Sequence, residues 1–214
     1  MCLEMRGFVR KNGIVCNENP KEKIMKTCLI VIDAQESFRQ RPNWNEALAT
    51  PYLQHQNALI AGALAQGLPI VRVFHTQAPE GAGNPFSPAS GHVRPLTGLQ
   101  DFACAATFSK TRHSALVDTG LQVWLTQNHI GKLIVSGIRT EQCCETTTRH
   151  ASDLGWEVDF VLDATLTFDM TQPDGQTLRA ADIKMRTATV LQDRFARVCS
   201  ADDALANANL KARA

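Results

Sequence analysis

Residues 27–33 read TCLIVID, an uncharged and largely apolar run that ends on a carboxylate. An apolar run of this length without polar alternation fits a strand covered on both faces, the usual condition of a strand in a parallel sheet. Outward from it, strand and helix signals alternate. Thr50-Pro51 reads as a helix start, an N-cap residue followed by proline at the first helical position. Leu53, Asn57, Ile60, Ala61 and Leu64 follow at helical spacing, and Gly67 reads as the stop. PIVRVFH (69–75) is a second strand. The Gly-, Pro- and Ser-rich stretch from Gln77 to Leu99 is a long loop, of a length that usually serves a site or a subunit contact. Gly120–His129 then reads as a helix, KLIVS (132–136) as a strand, and Glu141–Leu154 as a helix stopped by Gly155. EVDFVL (157–162) is a strand, Thr177–Gln192 a helix and FARVC (195–199) a last strand. Ser200 and Asp203 form a capping signature for a C-terminal helix. This alternation, without an internal repeat, predicts one α/β domain: a three-layer α/β/α sandwich around a mostly parallel, Rossmann-like central sheet.

The length of 214 residues suits a single domain, expected over 26–214. Residues 1–25 carry charges, Asn and Pro without periodicity and are expected to lie outside the core, with Met25 a candidate translation start. A formal net charge of +1 gives no electrostatic footprint for nucleic acid or an acidic membrane. No apolar run approaches the ~20 residues of a membrane-spanning helix. The basic N-terminal stretch lacks the apolar segment of a secretory signal, so a cytoplasmic location is expected. Seven cysteines, an odd number, show neither a CxxC pair nor zinc-like spacing with histidine. The neighbours Cys143 and Cys144 are poorly placed for an unstrained disulfide. Every cysteine except Cys143 is expected to be a small core residue in a reducing compartment.

In open parallel sheets, ligands bind beyond the C-terminal ends of the strands. Asp33 ends the first strand, Cys143 begins the helix after KLIVS, and Lys110 falls in the loop region after the second strand. One at a time, these are a helix-capping aspartate, a surface lysine and a buried thiol. Three motifs change that reading. VIDAQESF (31–38) resembles the Asp-x-Gln-x-x-Phe opening of isochorismatase-like hydrolases. SKTRHSAL (109–116) is similar to the family's Lys-x-x-x-Ser-Ala-Phe segment, with Leu116 in place of Phe. The stretch 136–165, SGIRTEQCCETTTRHASDLGWEVDFVLDAT, resembles the nucleophile region Gly-x-x-Thr-x-x-Cys-Val, with Cys144 in place of Val. The motifs stand in family order over roughly Met25 to Ala204.

The resemblance implies a catalytic triad of Asp33, Lys110 and Cys143. Cys143 is then the nucleophile, its thiolate favoured by the start of a helix. Asp33 is the base that takes the thiol proton and returns it to the leaving group, and Lys110 stabilises the thiolate and keeps Asp33 from rising too far in pKa. An oxyanion hole is implied at the backbone N–H groups of Arg139 and Cys143, with a cis bond between Ile138 and Arg139. Position near the triad gives Gln35, Phe38, Trp44, His75, Phe108, Arg139 and Thr140 as substrate-pocket candidates. Arg139 is the one suited to a substrate carboxylate. Nicotinamidases of this family hold a metal through Asp-x-His, which FHTQAPEGAGNPF (74–86) lacks, so no metal and no cofactor is expected. True isochorismatases act without a cysteine nucleophile. The remaining expectation is a cysteine hydrolase that cleaves a C–N bond of a small amide or carbamoyl compound through a thioester, working as a homo-oligomer (dimer or tetramer). The alternatives are a non-catalytic binding protein and a redox-responsive thiol protein on the same fold. A dinucleotide oxidoreductase is disfavoured because the first strand leads into DAQESF instead of GxGxxG.

Overall fold

The structure is a computed structural model, and it describes residues 26–208. The expectations for residues 1–25 lie outside the described residues. The strands are β1 (Lys26–Ile32), β2 (Ile70–His75), β3 (Ala106–Lys110), β4 (Ile130–Ile138), β5 (Glu157–Leu166), β6 (Met170–Thr171), β7 (Thr177–Leu178) and β8 (Arg197–Cys199). The helices are α1 (Glu46–Ala65), α2 (Leu121–Gln127), α3 (Glu145–Asp153), α4 (Ala180–Leu191) and α5 (Ala201–Asn207). Six strands form one sheet in the order β3-β2-β1-β4-β5-β8, with every neighbouring pair parallel. β6 and β7 form a separate antiparallel hairpin.

The burial of β1 explains why its sequence does not alternate. Cys28, Ile30 and Ile32 enter the core formed with α2, α3 and α4, while Leu29 and Val31 enter the core formed with α1 and α5. β4 divides in the same way, with Leu133 and Val135 on one side and Ile134 on the other. A strand with helices on both faces has no solvent side, so both residue sets must be apolar. The result is the expected three-layer arrangement. From β1 the chain runs outward to β2 and β3, then returns to β4 on the other side of β1. The crevice between the C-terminal ends of β1 and β4 is therefore the topological switch point.

Several local expectations are corrected. Helix α1 starts at Glu46, and Asn45 caps it by accepting from the Ala47 N–H at 2.9 Å, so Pro51 lies inside the helix and is not its first residue. Its buried face is Ala49, Tyr52, Gln56, Leu59, Ile60 and Ala63, rotated from the expected one. Residues 106–110, read as loop, form the edge strand β3, and Lys110 is its last residue. Residues 177–178 belong to the β6–β7 hairpin, so α4 begins at Ala180. β5 runs on to Leu166 through an irregularity between the pairings Val135–Phe160 and Gly137–Thr165. Asp163 lies in that stretch and accepts from the Ala201 N–H at 3.1 Å, capping α5 together with the expected Ser200–Asp203 box.

Candidate active site

Three chain segments converge at the switch point, and each is held there by a specific local feature. Asp33 follows β1 in a left-handed conformation (φ 51°), which turns its side chain out of the strand pattern. Its N–H donates to the Val73 carbonyl at 2.8 Å, continuing the ladder to β2 for one residue. At the end of β4, Gly137 has φ +127° and passes so close to β1 that a Cβ there would lie 1.9 Å from the Ile32 carbonyl oxygen. Only glycine permits that approach. Beyond Gly137 the Ile138–Arg139 peptide is cis, and Thr140–Cys144 form one widened (π) turn at the head of α3. Cys143 lies in that turn.

The Lys110 ammonium lies between the other two. Nζ is 2.7 Å from Asp33 Oδ2, and the side chains of both residues are wholly buried. It also donates to Cys143 Sγ at 3.1 Å and meets His75 Nδ1 at 3.1 Å. An ammonium has three protons and no acceptor, so these three contacts use all of its donors. They also make His75 Nδ1 an acceptor, which leaves the His75 proton on Nε2.

Burial pushes Asp33 above the ordinary carboxylate range, and the Lys110 charge works against that rise. For Lys110, burial alone would depress the pKa, but the charges of Asp33 and Cys143 outweigh it and raise the value. Burial and then the Asp33 charge push the Cys143 thiol up to about 12. Burial, Lys110 and His113 together lower His75 to about 4, so its ring is neutral. The resting sulfur therefore keeps its proton beside a carboxylate made more basic than usual. Dehydration of the sulfur and the adjacent carboxylate thus work against the thiolate that the start of a helix favours.

A cavity of about 150 Å³ opens above the sulfur, lined by Cys143, His75, His113, Arg139, Gln142 and Phe38 among others. Drug-sized ligands occupy cavities of roughly 300–1,000 Å³, so this one fits a small molecule. Phe38 and Phe86 meet edge to face at 5.0 Å on one wall. Arg139 stacks over Phe168 at 5.7 Å. Its Nε is 3.1 Å from Glu141 Oε1, while its buried Nη2 has no partner among the described residues.

Phe38, His75, Arg139 and Cys143 thus face the cavity, and four other candidates do not. Gln35 is fully buried, and its amide accepts from the His75 N–H at 2.7 Å and donates to the His75 carbonyl at 3.0 Å, tying β1 to β2. Trp44 packs against Phe168 at 5.6 Å in an apolar cluster behind the wall. Phe108 packs from β3 against the core. Thr140 is fully buried and donates to Thr165 Oγ1 at 2.9 Å. The sequence reading missed His113, whose Nδ1 is 3.8 Å from the sulfur, and also Gln142, Phe86 and Phe168. His113 lies three residues beyond Lys110 in a motif already singled out, so a signal for it was present. Among the described residues, no group of three His, Cys, Asp or Glu could hold a metal ion. None of their helices is long and apolar enough to cross a membrane.

A doubly wound parallel sheet with a buried Asp, Lys and Cys cluster beneath a small cavity at its switch point defines the class: an α/β protein with a thiol at the ligand position. The model of the isochorismatase domain matches residues 27–203, and the chain belongs to the isochorismatase family of hydrolases. An uncharacterized isochorismatase family protein of Bacillus subtilis, YrdC, is 25% identical over 177 residues, covering 83% of this chain and 93% of its own length. The streptothricin hydrolase of Streptomyces noursei is 28% identical over 165 residues, 72% of this chain and 57% of that protein. Among solved structures, an isochorismatase-family structure from Burkholderia xenovorans superposes with a TM-score of 0.78 at 29% identity, covering 86% of this chain and 88% of the other.

Proposed function

We propose that this hydrolase cleaves a C–N bond of a small amide or carbamoyl compound through a thioester on Cys143. The observation that carries the reading is the Lys110 ammonium, which touches Asp33 Oδ2 at 2.7 Å and Cys143 Sγ at 3.1 Å beneath the cavity. A thiol with a pKa near 12 is a poor nucleophile unless its proton moves as it attacks. Asp33, with its raised pKa, is the group placed to take that proton, and Lys110 neutralises whichever anion results. The sulfur adds to the carbonyl carbon, and the developing oxyanion is received by the backbone N–H groups of Arg139 and Cys143. Collapse expels the amine, and water hydrolyses the thioester. The streptothricin hydrolase and a nicotinamidase of Arabidopsis thaliana, the latter 43% identical over 60 residues only, support a hydrolase of small molecules without naming the substrate.

The test is ammonia or amine release across a panel of primary amides and ureido compounds, with intact-mass detection of the acyl-protein. Cys143→Ala is expected to abolish both the adduct and turnover. A Cys143→Ala protein with full activity on an identified substrate refutes the mechanism.

A further inference from the structure

Arg139 has more hydrogen-bonding capacity than the protein uses. Its side chain is mostly buried and stacks over Phe168 at 5.7 Å. It is held along one edge, where Nε is 3.1 Å from Glu141 Oε1 and 3.4 Å from Thr167 Oγ1. Nη2 is buried with no hydrogen-bond partner among the described residues. A guanidinium carries five N–H donors in a planar fork, and a buried donor without an acceptor is costly. The same side chain lines the cavity above Cys143. Its pinned edge and stacked face fix the plane of the fork, so an acceptor entering the cavity meets donors already oriented. Other lining groups favour the same kind of ligand. Arg41 is exposed at this cavity and adds a second cation. His75 Nδ1 accepts from Lys110, so its Nε2 carries a proton. With its pKa lowered to about 4, His75 stays a neutral donor across the neutral range. The amides of Gln77 and Gln142 have N–H groups to offer as well. A ligand suited to this lining is rich in acceptors and negatively charged.

We infer that the substrate carries a carboxylate a few bonds from its scissile carbonyl, and that the Arg139 guanidinium is the group that recognises it. The assignment rests on the C–N hydrolysis reading above and narrows it to small amido and ureido acids, such as succinamate and N-carbamoylglycine. Arg139 then acts at both ends of the substrate. Its backbone N–H is one of the two proposed for the oxyanion, and its side chain takes the carboxylate. Because both contacts come from one residue, the carboxylate sets where the carbonyl lies relative to the sulfur. The cavity volume of about 150 Å³ limits the spacer between them to a few carbon atoms.

The test is titration calorimetry on the Cys143→Ala protein with two near-isosteric pairs, succinamate against 4-methylpentanamide and N-carbamoylglycine against isobutylurea. In each pair an isopropyl group replaces the carboxylate. The acid of at least one pair is expected to bind about tenfold more tightly than its isostere, the lower range for a hydrogen bond to a charged group. Adding Arg139→Gln should remove that preference and leave the affinity of the neutral member unchanged. Arg139→Gln leaves the Glu141 carboxylate without its partner, so Arg139→Gln with Glu141→Gln is measured beside it and should lose the preference too. Three results overturn the assignment: equal affinities within both pairs, no measurable binding of either acid, or a preference that survives loss of the guanidinium. The thioester reading is decided separately, by acyl adducts on Cys143 of the parent protein. Adducts and turnover with neutral amides, without preference for the acids, overturn the carboxylate assignment alone. Selective binding of an acid that is hydrolysed without an adduct overturns the thioester alone.

Discussion

Lys110→Met tests whether the cluster is held by charge or only by packing. Methionine nearly preserves the stem of the side chain and removes the ammonium, which has Asp33, Cys143 and His75 as its three partners. Asp33 would then be a wholly buried carboxylate with no counter-charge. Removing one partner of a buried ion pair costs about 3–5 kcal/mol, far more than the pair adds over an apolar isostere. With a urea m-value of about 2 kcal/mol/M, the unfolding midpoint should fall by roughly 2 M. The deficit must also depend on pH. Asp33 is already raised by burial in the parent protein, and losing Lys110 raises it further. Below the folded-state pKa of the parent Asp33 the carboxyl is protonated in both proteins, and the deficit is smallest there. It grows as pH rises through the folded-state pKa of the parent Asp33, by up to about 1.36 kcal/mol per unit, until the variant's carboxyl also ionises. Adding Asp33→Asn removes the unpaired charge, so the double variant should be more stable than Lys110→Met alone. Three results refute the reasoning: a deficit below about 1 kcal/mol, a deficit constant from pH 5 to 9, or a double variant no better than the single.

Other outcomes follow from the same geometry. Alkylation of Cys143 by iodoacetamide, followed site by site by mass spectrometry, should rise about tenfold per pH unit from 7 to 10 without levelling, because the thiol sits near 12. A plateau near pH 8–9 contradicts this. The same measurement bears on a redox role, since thiols that sense oxidants are exposed and acidic, whereas Cys143 and Cys144 are buried and both raised. Gly137→Ala should destabilise by about 2–4 kcal/mol in a thermal or urea melt, since its Cβ meets backbone and not a yielding side chain. Light scattering should return a dimer or tetramer mass, with Val123 and Met185 among the exposed apolar side chains available to an interface.

The sequence was most readable where burial is symmetrical. TCLIVI and KLIVS are apolar throughout because both faces of β1 and β4 are covered, and no partner strand need be known to recognise them. At the sheet edge the same reasoning fails. ATFSK in β3 is half exposed and mixes Thr, Ser and Lys, so it resembles loop, although Ala106, Phe108 and Lys110 do alternate with Thr107 and Ser109. Pro51 misled because proline after a Thr is read as a first helical residue, whereas the stronger signal was Asn45 just before Glu46. Asp33, Lys110 and Cys143 could be named from linear motifs, since each ends or begins an element pointing at the switch point. The cavity wall could not. Gln35 and Thr140 stand next to the site in sequence but spend their hydrogen bonds inward, whereas Phe86 and Phe168 arrive from distant loops.

The placement of Asp33 and Lys110 around the sulfur also gives the unfavourable thiol pKa a reason. A thiolate already present at rest would be open to oxidation and alkylation from the cavity above it. Here the sulfur faces that cavity as a thiol, and Asp33, its proposed base, is buried and does not line the cavity. In the proposed mechanism the proton moves to Asp33 only as a carbonyl carbon arrives to take the electron pair, and the Lys110 ammonium touches both groups, so it faces whichever of them carries the negative charge. Such a transfer requires the carboxyl and thiol to be close in basicity. Burial promotes this by raising Asp33, while the Lys110 charge works against that rise. In that mechanism reactivity is coupled to occupation of the cavity, which would let a buried thiol with a pKa near 12 serve as the proposed nucleophile.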